Sequence, residues 1–450
     1  MSDDRREKGR AIPSSRLSRL GVFGRLAGGV AGGMVAEGAR RLASGERPRM
    51  SDLLLTPGNA LKLADRLSHL RGAAMKLGQM ISMDAGDMLP AELSMILARL
   101  RENAHHMPPA QLQTVLVRQW GPDWKTRLSR FDARPIAAAS IGQVHRATTL
   151  DGEELAIKVQ YPGIAESIDA DVDNVATLLR VSGVLPLSID IRPLLEEAKK
   201  QLHEEADYLR EGAQMRHYGE RLRGSSDFIV PKLFPDLTTD RVLAMSFVTG
   251  APIETLATAP QETRDRVIQA LIGLVLRELF DFGLMQTDPN FANYRYQAET
   301  GRLVLLDFGA VRPVSVETAL AYRTLLSAGL AGDRDHMREV AVGAGFLGEQ
   351  AVRKHRPIVD HIIEVILREL NKPGPFDFGD RAFVGTIRED GAAMAADRDT
   401  WHVPPVDTLF AQRKISGTAL LAARLKARVD VRSMIESRLA SASRAIEPSV

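Results

Sequence analysis

The 450-residue sequence predicts an α+β fold in two lobes, a small β-rich lobe preceded by a helical extension and then a larger helical lobe. Three observations carry this reading. Apolar residues recur at helical spacing from Leu53 to about Trp124, short β-type runs take over after Pro135, and helical periodicity dominates beyond about Val314. The boundaries read as a Gly/Ala-rich basic leader over 1–50, a helical extension over 51–130, the β-rich lobe over 131–250 and the helical lobe over 251–450.

Composition supports a soluble, folded chain: 44% hydrophobic and 26% charged residues are ordinary globular usage. A formal net charge of +2 gives no electrostatic case for nucleic acid as a partner. The absence of cysteine excludes disulfides, thiolate zinc sites and a Cys nucleophile. The opening MSDDRREKGR lacks the layout of a secretory signal, so the expected compartment is the cytoplasm. Around residues 20–42 a small-residue stretch is interrupted by Arg25 and Glu37 and falls short of a bilayer span. Its pairs Gly28/Gly32 and Gly29/Gly33 have the spacing of close-packed helices, with arginines on either side. A mobile leader, a segment that touches the inner membrane peripherally and a helix-pairing segment all fit, and a homodimer stays open.

The elements follow in order. Leu89, Leu93, Ile96, Leu97 and Leu100 mark a helical face, and Pro108-Pro109 a break. AAASIGQVHRA and ELAIKVQY are strands joined by the turn pair Asp151-Gly152, a β-hairpin. A helical run covers about Ile191 to Leu222, and RVLAMSFVTG is a strand entering a turn. The apolar helix at 267–283 ends at Gly283, where a C-cap belongs, with Arg277, Glu278 and Asp281 as its polar edge. RLVLLDFG is a further strand, and helices run on to the end with a Pro/Gly break over 371–379.

Phosphoryl transfer needs a lysine for the phosphates, a carboxylate to hold that lysine, and metal ligands. Lys158 stands in AIKV, where strand alternation sends the ammonium to one face and its apolar neighbours to the other. Asp288 and Asn293 have the D-x-x-x-x-N spacing that puts an orienting carboxylate and a metal-binding amide on one loop. Asp307-Phe308-Gly309 closes an apolar strand, which aims its carboxylate at the same place. Taken singly, each motif could be a proline turn or a strand-end turn; their order is that of a kinase fold. For the partner of Lys158, Asp207 and Glu211 share a helical face at i, i+4, and the kinase layout favours Glu211.

The chain resembles the UbiB/ADCK family of atypical kinase-like proteins over about residues 55–330. Its carriers are KxGQ (Lys76-Leu77-Gly78-Gln79), an alanine-rich loop (Ala137, Ala138, Ala139, Ser140, Ile141, Gly142, Gln143 and Val144) where a kinase has glycines, and ExD (Glu205-Ala206-Asp207). The resemblance implies an atypical protein-kinase-like fold and a role in ubiquinone biosynthesis. It implies ATP or ADP with Mg²⁺ as cofactors, the loop, Lys158, Glu211 and the hinge residues Met245 and Phe247 holding nucleotide, and Asn293 and Asp307 holding metal. It further implies Asp288 and Lys158 as the catalytic residues and KxGQ helices that cover the cleft, with Lys76 and Gln79 near Glu205 and Asp207. Slow ATP hydrolysis or a small lipid-like substrate such as a quinone precursor then fits better than protein phosphorylation. Alanine resists the backbone conformations that let glycine approach phosphates, so a non-catalytic, nucleotide-gated scaffold is the alternative. Gln286, where His is usual, and Ser246, where an acidic hinge residue is common, depart from the pattern.

Overall fold

The first described helix, α1 (Pro109–Trp120), starts at the expected proline break: Pro108 is extended and Pro109 occupies the first turn, where no N–H is needed. The computed structural model describes residues 107–181, 192–395, 397, 400, 402 and 404–444, and these divide into two compact units. The first runs to Arg216 and adds Lys232–Phe247; the second comprises His217–Pro231 and Val248 onward.

In the first unit α1 buries Leu112, Val115, Leu116 and Trp120, one helical face, and the Trp120 indole donates to the Leu237 carbonyl at 3.0 Å. The sheet follows as β1 (Leu128–Phe131), β2 (Ala137–Ala138), β3 (Gly142–Thr149) and β4 (Glu154–Gln160). Helices α2 (Ile168–Val181), α3 (Arg192–Ala206) and α4 (Tyr208–Arg221) come next, and the division between the units falls inside α4. A short strand of the second unit, β5 (Phe228–Ile229), precedes β6 (Val242–Ser246), which returns to the first. The strands are antiparallel in the order β1-β3-β4-β6, with β2 on β3. The hairpin turn is where the sequence puts it, with Gly152 at φ 86°, in the left-handed region that glycine occupies without strain. Leu155, Ile157 and Val159 are fully buried on β4, and Lys158 lies between Val144 and Leu243 in the register.

The helical run expected over 191–222 is two helices. α3 stops at Ala206 and α4 begins at Tyr208, because Asp207 caps α4: its Oδ1 accepts the Arg210 N–H at 2.9 Å. Asp207 therefore does not share a helical face with Glu211.

The second unit is built on α5 (Gln261–Arg277), whose residues Val267, Ile268, Leu271, Leu274 and Val275 are buried. Its last turn, Glu278–Phe282, is a π turn ending at Gly283, φ 60°. The sequence reading of Glu278 as part of a polar edge is corrected here, since the widened turn carries Glu278 inward and buries it completely. Strands β7 (Ala251–Pro252), β8 (Leu284–Gln286), β9 (Tyr294–Gln297), β10 (Arg302–Leu305) and β11 (Val311–Pro313) form two sheets, β5-β10-β9-β7 and β8-β11. The remaining chain is helical, α6 (Val316–Ala331), α7 (Arg334–Gly343), α8 (Glu349–Leu370), α9 (Ala382–Ala395), α10 (Val406–Leu425) and α11 (Val431–Arg444). The expected break near 371–379 contains β12 (Phe376–Asp377), which pairs with β13 (Arg428–Val429). No helix among the described residues is long and apolar enough to cross a membrane.

Candidate functional site

In the first unit, Lys158 and Glu211 form a two-pronged pair: the ammonium donates to both carboxylate oxygens at 2.9 Å. Glu211 is 1% exposed and Lys158 9%. The Tyr208 ring supplies a π face 5.1 Å from the ammonium. β4 fixes the lysine and the first turn of α4 fixes the glutamate, so strand register and helix cap together set the pair.

The alanine loop is partly sheet. Ala137 and Ala138 pair with Val144 and Gln143, and the Ala139 N–H donates to the Gly142 carbonyl at 2.8 Å, closing a tight turn over Ser140 and Ile141. Gly142 serves strand packing: a Cβ there would stand 2.5 Å from the Val159 carbonyl and 2.9 Å from the Tyr208 hydroxyl. Gln143 is fully buried, its Oε1 accepting the Met107 N–H at 2.7 Å and its Nε2 meeting His145 at 2.8 Å. The Gln143 side chain thus belongs to the core, and Ile141 is likewise buried. Ser140 donates to Glu205 at 3.0 Å, which ties the first acid of ExD to the loop.

At the expected hinge, Met245 is buried in β6. The Ser246 N–H donates to the Lys232 carbonyl at 2.9 Å and the Phe247 N–H to the Glu154 carbonyl at 2.8 Å. Both amides make sheet bonds, and the Phe247 ring lies under the Arg146 guanidinium at 4.7 Å.

In the second unit the other motif residues converge. β8 pairs with β11, and Thr287 donates from both its N–H, at 3.1 Å, and its hydroxyl, at 2.8 Å, to the Ala310 carbonyl. These bonds lock the Thr287-Asp288-Pro289-Asn290 turn against the residue that follows Asp307-Phe308-Gly309. The Leu306 N–H donates to the Asn293 carbonyl at 3.0 Å, so Asn293 and Asp307 are neighbours. Asn293 Nδ2 donates to Asp288 Oδ2 at 3.1 Å, so its Oδ1 is the atom of that amide that could take a cation. Asp307 Oδ1 accepts the Gly309 N–H at 2.9 Å, an Asx turn that sets the carboxylate at the strand end. One carboxylate and one amide oxygen, with Asp288 adjacent, are hard donors that suit Mg²⁺ when phosphate and water oxygens complete its octahedron.

Beneath this loop lies a polar network that sequence reasoning missed. Lys414, on α10 and 2% exposed, donates to Tyr294 at 2.9 Å and Gln286 at 3.3 Å and stands 3.7 Å from Glu278. Tyr218 donates to Glu278 at 2.9 Å, and the Gln286 N–H does so at 3.3 Å. Burial pushes the Glu278 carboxyl above its ordinary value, with Lys414 and Tyr218 partly offsetting it. Burial would lower Lys414, but Glu278, Tyr294 and Asp288 outweigh it and hold the ammonium above its ordinary value. A lone lysine amid the apolar positions of α10, three residues before a mid-helix glycine, was the available signal. The leader and the KxGQ residues Lys76, Gly78 and Gln79 lie outside the described residues.

Comparison with known proteins follows the same lines. The model of the ABC1 atypical kinase-like domain matches residues 99–341. The Saccharomyces cerevisiae protein named atypical kinase COQ8, mitochondrial, is 37% identical over 426 residues, which cover 94% of this chain and 84% of that protein. The Danio rerio protein named atypical kinase COQ8B, mitochondrial, is 35% identical over 433 residues, covering 95% of this chain and 69% of that protein. Among solved structures, the Rv3197–erythromycin complex from Mycobacterium tuberculosis aligns at a TM-score of 0.57 and 26% identity, covering 84% of this chain and 95% of that chain.

Proposed function

The chain belongs to the ABC1 atypical kinase-like family, the UbiB/ADCK family its motifs resemble, and on that premise we propose that it binds Mg-ATP and uses it in support of quinone-lipid biosynthesis. The observation that carries this reading is the Lys158–Glu211 pair: a buried ammonium gripped by both oxygens of one carboxylate is the device that presents a lysine to α and β phosphates. Asp307 and Asn293 hold Mg²⁺ in this reading, and the ion neutralises phosphate charge. Asp288, steadied by the Asn293 amide, orients the attacking water or hydroxyl. Lys158 fixes the phosphate tail, and Glu211 keeps that ammonium in place.

Isothermal titration of Mg-ATP into the wild type, Lys158→Met and Asp307→Asn tests the assignment. Binding by the wild type and its loss in both variants is the expected result; affinities unchanged in either variant would reject it. The physiological side is tested by deleting the gene in its host and measuring the quinone pool, with rescue by wild type and failure of rescue by Asp307→Asn.

A second reading, a scaffold that ATP reshapes without turnover, is favoured by the alanine loop, whose Ala137 and Ala138 are tied into the sheet rather than left to wrap a phosphate. Phosphate release measured with and without anionic vesicles separates the two. Tight ATP binding with no release under any condition selects the scaffold. Transfer of labelled phosphate to an added protein, lost in Asp288→Asn, would instead mark a protein kinase. Peripheral contact of the leader with an anionic membrane belongs to either reading and disappears if the full chain fails to co-sediment with such vesicles.

A further inference from the structure

Helix α10 touches the Asp288 loop along one of its faces. Lys414, Gly417 and Arg424 are spaced by three and seven residues and so share a side of the helix. Lys414 bonds to Gln286 and to Tyr294, the residues that bracket the loop at either end. Gly417 meets its middle: a Cβ there would stand 2.1 Å from Pro289 Cβ and 3.3 Å from Pro289 Cα. The Arg424 guanidinium lies 6.0 Å from the centre of the Phe291 ring. Three contacts from one helix therefore span residues 286–294 of the chain.

The Lys414 ammonium can only donate, so Gln286 must present Oε1 to it, which fixes the amide and turns Nε2 away, buried and without a hydrogen-bond partner among the described residues. The space enclosed by Gln286, Asn293, Asp307 and Lys414 is about 10 Å³, room for at most a single water. No nucleotide or lipid fits there, and Lys414 acts on a ligand only through the loop. Where a kinase loop is steadied by the residue before its catalytic turn, this loop has Gln286, and the charge that steadies Gln286 comes from 128 residues further along the chain.

We infer that α10 is a strut behind the metal-binding loop and that Lys414 is a positioning residue for Asp288 and Asn293, resting on the reading that this loop serves Mg-ATP. Lys414 holds both ends of the loop, the glycine lets the helix backbone press on Pro289, and Asn293 keeps its amide oxygen toward the cation. Supporting groups of this kind typically tune metal affinity by about tenfold to a hundredfold.

The test measures ATP affinity in the full chain with and without Mg²⁺. The principal variant combines Lys414→Met with Glu278→Gln, which removes both buried charges together while leaving acceptors for Tyr218 and the Gln286 N–H, so the core is not left with an unpaired charge. Gly417→Ala is the second variant and leaves the charges alone. The expected result is that Mg²⁺ strengthens ATP binding at least about tenfold less in both variants than in the wild type, while Mg-free affinity, which depends on Lys158, is unchanged. Variants that melt at the wild-type temperature and keep full Mg²⁺ dependence would overturn the inference while leaving the function intact. Equal losses with and without Mg²⁺ mark a merely structural role and overturn it too. A wild-type chain whose ATP binding ignores Mg²⁺ would overturn the proposed function, and this inference with it. If the charge variant does not fold, Gly417→Ala alone decides between these outcomes.

Discussion

Lys158 and Glu211 are charges that the fold has taken out of water, and their attraction offsets the desolvation only while both are present. Glu211→Ala is expected to cost about 3–5 kcal/mol in denaturant unfolding, because it leaves an ammonium buried without its counter-charge. The double change Lys158→Met with Glu211→Leu should recover most of that stability and none of the Mg-ATP binding, since packed apolar groups can stand in for a buried pair in the fold but not toward phosphate. Stability that stays low in the double variant would mean the pair holds the fold rather than the nucleotide. Residue types and spacings offered only part of this pair: AIKV names a strand lysine, whereas the choice of Glu211 over Asp207 in the acidic helix came from the kinase layout. Lys414, Tyr218 and Glu278 were out of reach, because a contact across 136 residues, such as Lys414 with Glu278, leaves no local periodicity to read. The burial of Gln143 was out of reach for a related reason, since strand alternation does not say which face the core occupies until the neighbouring Met107 and His145 are in place.

At the scale of elements, the break between α3 and α4 separates two roles that the ExD motif could play. Asp207 caps α4, the helix that carries Glu211, through the Arg210 N–H. Replacing it with alanine is expected to cost about 1 kcal/mol, whereas asparagine, an equally good cap, should cost only a few tenths. Thermal melts and ATP titrations of Asp207→Ala and Asp207→Asn tell the roles apart. Asparagine with wild-type stability and wild-type nucleotide binding assigns the residue to capping, and asparagine with intact stability but altered nucleotide binding assigns it to charge. Strand and helix existence was legible from periodicity and turn pairs such as Asp151-Gly152. The α3–α4 break was missed because apolar spacing continues across it, although an aspartate before a helical turn is itself a start signal. The π turn at Glu278–Phe282 has no signature in composition, and it is what moved Glu278 from edge to interior.

For the whole molecule, the balance of titrating groups sets its behaviour in acid. Glu154 is held below its ordinary value of 4.5 by hydrogen bonding to Arg146. Asp335 is held below its ordinary 3.8 by Arg338, and Asp430 by the Ser433 N–H and hydroxyl. Burial opposes the same shift at Asp377, but the Gly379 N–H and Arg428 prevail and lower it. Each folded carboxyl then titrates below its unfolded value, so its contribution is present above the unfolded pKa and is lost as pH falls through the folded one. Glu278, raised by burial, runs the other way: the folded chain favours its protonated form, and that contribution fades as pH rises above 4.5. Four lowered groups against one raised predict a melting temperature that drops as pH is taken below 4.5 toward the acid limit, with proton uptake on unfolding. Melts recorded from pH 7 downward check it, and a melting temperature flat below 4.5 contradicts it.

The close approach of Gly417 to Pro289 also bears on how such sequences drift. Position 417 cannot change freely by itself, because any side chain there collides with Pro289 Cβ unless the turn or the helix gives way. Across lineages the two sites should therefore covary, a larger residue on the helix being tolerated only where the turn carries glycine at 289 or the helix has moved outward. A tally of residue pairs at these two sites, taken from distant members, would read that coupling without purified protein.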